Sequence, residues 1–177
     1  MMSADPTDPA ELSLHGEIDE KGARKTLNAL RDIGVDYPGR PIDLIINSPG
    51  GSMEHGDAIY DELVRMSMAG GGGHHITTRV RGRAASAASL ILQAGDVRLG
   101  GRMGYIYMHE PLSTFHDQTM AQMRNELEFC EKWVERYIKA HDRCNISYAE
   151  FRERIRDKEW YLAMDEAVAL GIVDGIG

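Results

Sequence analysis

Short apolar runs that each break into a small-residue turn and then an amphipathic stretch recur along this chain, and that alternation constrains the fold more than any other feature. Residues 12–15 precede a helical pattern from about 19 to 33, closed by Gly34. Residues 42–46 run through NSPGGS (47–52) into a helical pattern over about 54–68, ended by a run of glycines. Residues 76–81, β-branched and alternating, run through GRAASAAS (82–89) into an Ala- and Leu-rich helix over 84–94 that stops at Gly95. Apolar strands, each followed by a helix, predict an α/β fold with a parallel sheet buried on both faces. A chain of 177 residues with 42% hydrophobic side chains can hold one sizeable core. The expectation is a short tail at 1–10 and a single domain over 11–177.

Three strand ends carry groups with chemical potential. Ser86 stands among alanines near a helix N-terminus, where unpaired N–H groups and the helix dipole favour a developing oxyanion. Gly50 and Gly51 can present bare N–H groups, because they lack a Cβ and tolerate positive φ. His109, after the strand-like 105–108, can take a proton from Ser86. Each has an ordinary reading alone: helix packing for the serine, a tight connection for the glycines, a core or surface imidazole for the histidine. Together they assemble the parts of nucleophilic catalysis: a hydroxyl, a base to activate it and N–H donors for the oxyanion.

The blocks NSPGG, GxAAS and MHxP, in that order, resemble those of the Clp (caseinolytic) proteolytic-subunit serine peptidases. The resemblance runs over residues 12–177 and includes LSLHGEID, IYDEL and the closing WYLAMDEAVALGIVDGIG. It implies a ClpP/crotonase-like spiral of β-β-α units with a C-terminal handle helix, and peptide hydrolysis through an acyl-enzyme with no cofactor. It makes Ser86 the nucleophile, His109 the general base, and the N–H groups of Gly51 and Ala87 the oxyanion donors. The third member is an Asp in the family; the matching residue here is Glu159, with Asp157 a nearby alternative. The implied assembly is a homo-oligomer of heptameric rings, stacked as a tetradecamer, which degrades polypeptides delivered by an AAA+ unfoldase.

Some positions depart from that pattern. Arg79 and Arg81 stand where the family forms an apolar docking pocket for the unfoldase, the N-terminal arm is short, and residues 113–118 lack the glycines usual in the substrate-binding strand. Two readings fit: a divergent subunit, paired with a second paralogous one, or a phage or prophage maturation peptidase acting without an unfoldase. Two other classes stay open. A crotonase-like acyl-CoA enzyme shares the fold without needing Ser86 and His109 together, and a non-catalytic assembly component would result if Glu159 failed to orient His109.

Charge narrows the partners. A net charge of −8 and pI near 5.3 exclude a nucleic-acid binder, since Arg79, Arg81, Arg83 and the arginines of 152–156 are local features. Cys130 and Cys144 are too few for a disulfide framework and read as reduced thiols. Neither a signal peptide nor a membrane span is visible, which predicts a soluble, cytoplasmic chain. His74 and His75 read as part of a flexible loop rather than a metal site. The long helix expected over about 119–142 has apolar positions Met120, Met123, Leu127, Cys130, Val134 and Tyr137 in one stripe, as core packing or as the handle. Ser147 and Glu150 predict a capping box that opens a short helix delivering Glu159.

Overall fold

Side-chain caps fix where the chain turns from strand to helix. In the computed structural model, which describes residues 7–112, 114 and 116–177, Asp19 accepts a hydrogen bond from the Gly22 N–H at 2.7 Å and starts α1 (Glu20–Asp36). Ser52 accepts from the His55 N–H and starts α2 (Met53–Met66), immediately after the paired glycines. α1 does not stop at Gly34 as expected. Gly34 does not adopt the left-handed φ of a helix-ending glycine, and a Cβ there would meet the Met66 methyl at an ordinary 3.5 Å, so the helix runs through it to Asp36.

The strands are β1 (Ala10–His15), β2 (Ile42–Ser48), β3 (Ile76–Ala85), β4 (Val97–Gly100), β5 (Tyr105–Met108), β6 (Trp160–Ala163) and β7 (Gly175–Ile176). They form one sheet in the order β1-β2-β3-β4-β7, with β5 pairing β3 and β6. Every pairing is parallel except β5 with β6. Leu44, Ile45 and Ile46 are buried in succession, so β2 is covered on both faces as the apolar run requires. Ala10, assigned to the tail from sequence, is the first residue of β1.

β3 is longer than predicted, because Ala84 and Ala85 belong to the strand and not to the helix that follows. Gly82 explains the extension. It has φ +111°, and a Cβ on it would sit 2.5 Å from the Asn47 Oδ1. The strand bulges there, shifting its register on β2 from Ile46↔Val80 to Ser48↔Ala84, and its second half pairs with β5. Ladder bonds thus outweigh the helix propensity of alanine. The short α3 (Ala87–Leu92) begins one residue after Ser86.

The remaining helices are α4 (Met120–Ala140), α5 (Tyr148–Ile155) and α6 (Met164–Ala169). Thr119 and Gln122 form a reciprocal capping box at the start of α4. At α5 only half of the predicted box forms: Ser147 accepts from the Glu150 N–H, while the Glu150 carboxylate turns to Arg154 at 2.8 Å. The α4 stripe divides along its length. Val134 and Tyr137 are buried, whereas Met120 and Leu127 are 74% and 54% exposed. One end of the helix is core and the other presents apolar surface.

His74 is not in a flexible loop. It is buried, with Nδ1 2.8 Å from the Arg40 carbonyl oxygen. Arg98 is also buried, its guanidinium held by both carboxylate oxygens of Asp174 and by the Gln93 side-chain oxygen. Neither Cys130 nor Cys144 forms a disulfide among the described residues. Among the described residues no cluster of metal-ligating side chains occurs, and no helix is long and apolar enough to cross a membrane.

Candidate active site

The turn between β3 and α3 places Ser86 in an unusual backbone conformation, φ 53° and ψ −125°. A non-glycine residue held there costs on the order of 1–3 kcal/mol and persists only where its surroundings dictate it. Here they do. The Ser86 N–H donates to the Tyr107 carbonyl on β5 at 2.8 Å, and its own carbonyl accepts from the Ser89 N–H at 2.9 Å. The Ser86 side chain makes no cap bond to α3, so its hydroxyl is not spent on the helix.

The NSPGG turn is packed directly against this one. A Cβ on Gly50 would lie 2.6 Å from the Ala85 carbonyl oxygen, 2.7 Å from the Ser86 Cβ and 3.1 Å from the Ala87 nitrogen. Glycine is required there by space as well as by φ +88°. The Gly50 N–H is held by the buried Ser48 hydroxyl at 3.1 Å. At Gly51 the φ is +145° and the spatial constraint comes from a different neighbour. A Cβ there would strike the Ile18 backbone oxygen at 2.5 Å, because the Ile18 N–H donates to Gly50 and the Ser52 N–H to Ile18, clamping the turn to the chain beyond β1. That clamp leaves the Gly51 N–H without a hydrogen-bond partner among the described residues. Ala87 opens α3, so its N–H lies ahead of the intrahelical ladder. A contact between two small residues lets α2 approach α3: a Cβ on Gly56 would be 2.9 Å from that of Ala87.

His109 follows β5. With Pro49, Gly51, Met53, Ser86 and Tyr137 it lines a cavity of about 240 Å³. It also lines a second cavity, about 340 Å³, with Tyr107, Asp157 and Glu159. The imidazole therefore stands between the hydroxyl and the two acids. Among the described residues no hydrogen bond joins His109 to Ser86, Glu159 or Asp157. Its ring stacks instead on Tyr107, centroids 5.0 Å apart and planes 18° apart.

Glu159 is not delivered by α5, which ends at Ile155; it directly precedes β6. Its carboxylate accepts from the Tyr107 hydroxyl at 3.0 Å and from the Tyr161 hydroxyl at 3.4 Å. The antiparallel register pairs Tyr107 with Tyr161 and Met108 with Trp160, where the ladder ends; His109 directly follows that last pair on one strand and Glu159 directly precedes it on the other. Asp157 sits at φ 51° with its N–H donating to a Glu110 carboxylate oxygen. Tyr107, which sequence reasoning did not single out, touches all of these parts: its carbonyl holds Ser86, its ring holds His109 and its hydroxyl holds Glu159. Burial, reinforced by the bond to Glu159, pushes the Tyr107 phenol up to about 12, so it remains a donor at neutral pH. Only the pairing of β5 with β6 reveals that role.

At the positions that depart from the family pattern, Arg79 bonds the Asp43 carboxylate at 3.2 Å and Arg81 is exposed. Ser113 and Phe115 of the segment lacking glycines lie outside the described residues.

Comparison with known proteins bears on what such a site does. The sequence model described as Clp protease matches residues 7–177. The chain is 28% identical over 166 residues to the ATP-dependent Clp protease proteolytic subunit 1 of Chlamydia muridarum, covering 90% of this chain and 81% of that protein. The subunit of the same name from Chlamydia caviae matches at 28% identity over 166 residues, covering 90% of this chain and 82% of that protein.

Proposed function

The chain belongs to the Clp protease family and so to a family of peptidases, and from that premise we propose that it is a serine endopeptidase. The observation that carries the proposal is the left-handed φ of Ser86 on a strand-to-helix turn, packed against the Gly50–Gly51 turn with His109 across the same cavity.

A neutral serine hydroxyl is a poor nucleophile, so His109 takes its proton as the Ser86 Oγ attacks the scissile carbonyl carbon. The carbonyl oxygen becomes an oxyanion, stabilised by the N–H groups of Gly51 and Ala87. Removing one such donor typically costs about 10²–10³ in rate. Collapse breaks the C–N bond as His109 returns the proton to the leaving amine, leaving Ser86 acylated. Water then attacks the ester carbon as His109 accepts its proton, and collapse breaks the Ser86 Oγ–C bond as His109 returns that proton to Oγ, releasing the N-terminal fragment with a new C-terminal carboxylic acid. Glu159 is assigned as the group that orients the imidazole, on the strength of its place next to the last β5–β6 pair, which His109 also adjoins. The working triad needs hydrogen bonds from His109 to Ser86 and Glu159, and such bonds are often formed only with substrate bound.

The proposed catalytic unit is one domain over 11–177, and the proposed assembly is a homo-oligomer of stacked heptameric rings enclosing the site. The exposed apolar end of α4, with Met120, Leu127 and Phe129, supports that assembly because it leaves a ring-to-ring surface uncovered in the single chain. The ion pair of Arg79 with Asp43 sets charge where an apolar loop of an unfoldase would dock. Delivery by a partner ATPase therefore uses a different contact or is dispensed with.

Covalent labelling by a serine-directed fluorophosphonate tests the chemistry. The reagent should modify the wild-type protein at Ser86 and fail to modify Ser86→Ala. Labelling elsewhere, or peptide hydrolysis that survives Ser86→Ala, overturns the assignment.

A further inference from the structure

The carbonyl of Ser86 accepts a second hydrogen bond, from the Ser89 hydroxyl at 2.6 Å. The same hydroxyl oxygen lies 2.5 Å from the phenolic oxygen of Tyr137 on α4. A carbonyl can only accept, so the Ser89 proton is committed to Ser86 and Tyr137 must be the donor to Ser89. The relay runs one way, from the Tyr137 O–H to the Ser89 Oγ–H to the Ser86 carbonyl.

A serine that bonds back to the carbonyl three residues earlier is ordinary in a helix. What is not ordinary is the third member. Tyr137 comes from another helix, stacks on Trp133 at 5.1 Å, and with Trp133 forms part of the wall of the cavity that holds Ser86 and His109. Both hydroxyl-bearing residues are sealed from water, Ser89 at 0% and Tyr137 at 2% exposure. Water therefore has little access to the Ser89 and Tyr137 hydroxyls, and bonds in a buried chain polarise and strengthen one another. Burial also raises the Tyr137 phenol above its ordinary value, so it keeps its proton wherever an imidazole base operates.

We propose that Ser89 and Tyr137 are positioning residues for peptide hydrolysis, holding the backbone of Ser86 in its strained conformation and tying the nucleophile to α4. The inference rests on Ser86 being the nucleophile. Neither residue reaches the reacting atoms; both act through the Ser86 carbonyl.

The test uses Ser89→Ala, Tyr137→Phe and the double variant, each as particles of wild-type mass. Fluorophosphonate labelling rates, steady-state peptide hydrolysis and thermal unfolding are measured. Ser89→Ala should lower the labelling rate and kcat about tenfold, the equivalent of one hydrogen bond, with KM unchanged. Tyr137→Phe leaves the Ser89 bond in place but unpolarised and should lower both about threefold. The double variant should be no slower than Ser89→Ala, because the two groups act in series. The pH profile of kcat/KM should keep its wild-type inflection, since the relay does not touch His109.

Variants that label at the wild-type rate while losing thermal stability overturn the proposal, as does a double variant whose losses multiply. If Ser89→Ala does not fold, Tyr137→Phe, which removes one oxygen atom, decides alone. A wild-type protein that labels normally beside unaffected variants refutes only the relay. A wild-type protein that does not label refutes the serine nucleophile and the relay with it.

Discussion

Substituting Gly50 by alanine tests whether the glycine turn and the Ser86 turn are pressed together. Two costs arise. The φ of +88° charges any L side chain about 1–2 kcal/mol. The new Cβ must also find space 2.6 Å from the Ala85 oxygen and 2.7 Å from the Ser86 Cβ. Those neighbours are backbone or attached directly to it and cannot swing aside, which adds overpacking of about 1–3 kcal/mol. The same substitution at Gly71 separates the two costs. Gly71 has φ +84° and nothing within 4 Å of its would-be Cβ, so Gly71→Ala bears only the first. Denaturant or thermal unfolding should therefore place Gly50→Ala about 2–5 kcal/mol below wild type and Gly71→Ala only about 1–2 kcal/mol below. For a chain of this length each kcal/mol lowers the Tm by about 2–4 °C. Relief of the clash displaces Ser86, so labelling by a fluorophosphonate should fall about 10²-fold in Gly50→Ala and stay unchanged in Gly71→Ala. Equal destabilisation of the two variants, or normal labelling of Gly50→Ala, would refute the close approach of the turns.

Other outcomes follow from the site and its supports. Glu159→Gln should reduce kcat on the order of 10²–10⁴-fold, as loss of a triad acid does, while Asp157→Asn, which tolerates the left-handed backbone at that position, should stay within about threefold; the reverse order in a peptide-hydrolysis assay transfers the orienting role to Asp157. His141 is buried, its Nδ1 on the Tyr137 carbonyl and its Nε2 without a hydrogen-bond partner. Burial first, and the charge of Arg98 as well, hold its pKa down to about 4. The unfolded chain then binds the proton more readily than the native one, so this contribution to stability is complete above about pH 6.5 and is lost as pH falls towards 4. Histidine NMR resonances should show His141 still neutral at pH 5; a His141 signal titrating near 6.5 contradicts the burial argument. Asp174→Ala should cost about 3–5 kcal/mol by stranding the buried Arg98 guanidinium, read by denaturant unfolding; a loss below about 1 kcal/mol, the scale of a surface ion pair, would deny that Arg98 depends on it.

The parallel sheet could be read from the sequence because its central strands are apolar on both faces and end at glycines, and the same punctuation located Ser86 and the paired glycines. Where residue propensity competed with tertiary pairing it misled. Ala84 and Ala85 favour a helix in isolation, yet β5 offers them ladder bonds. Gly34 looks like a stop, yet its φ is not left-handed and α1 continues to Asp36. β4 and β7 are too short, and β4 carries the charged Arg98, to produce a periodic signal. Within the candidate site, residue types were legible and partners were not. Nothing local to the tyrosines shows that Tyr107 lies across from Tyr161, so its grip on Ser86, His109 and Glu159 appears only once the antiparallel pair is formed. The exposed half of the α4 stripe was equally hidden, since apolar spacing is the same whether a face meets its own core or another subunit.

The antiparallel pair has a mechanical meaning. His109 and Glu159, the proposed base and orienting acid, flank the β5–β6 pair, whereas Ser86, Gly51 and Ala87 belong to the turns of the parallel sheet. The two groups meet along a seam where β5 joins β3 only from Arg83↔Tyr105 to Ala85↔Tyr107. Beyond those three pairs the Ser86 N–H bond to the Tyr107 carbonyl crosses the seam, so the placement of the imidazole relative to the hydroxyl depends on a short ladder and one turn bond.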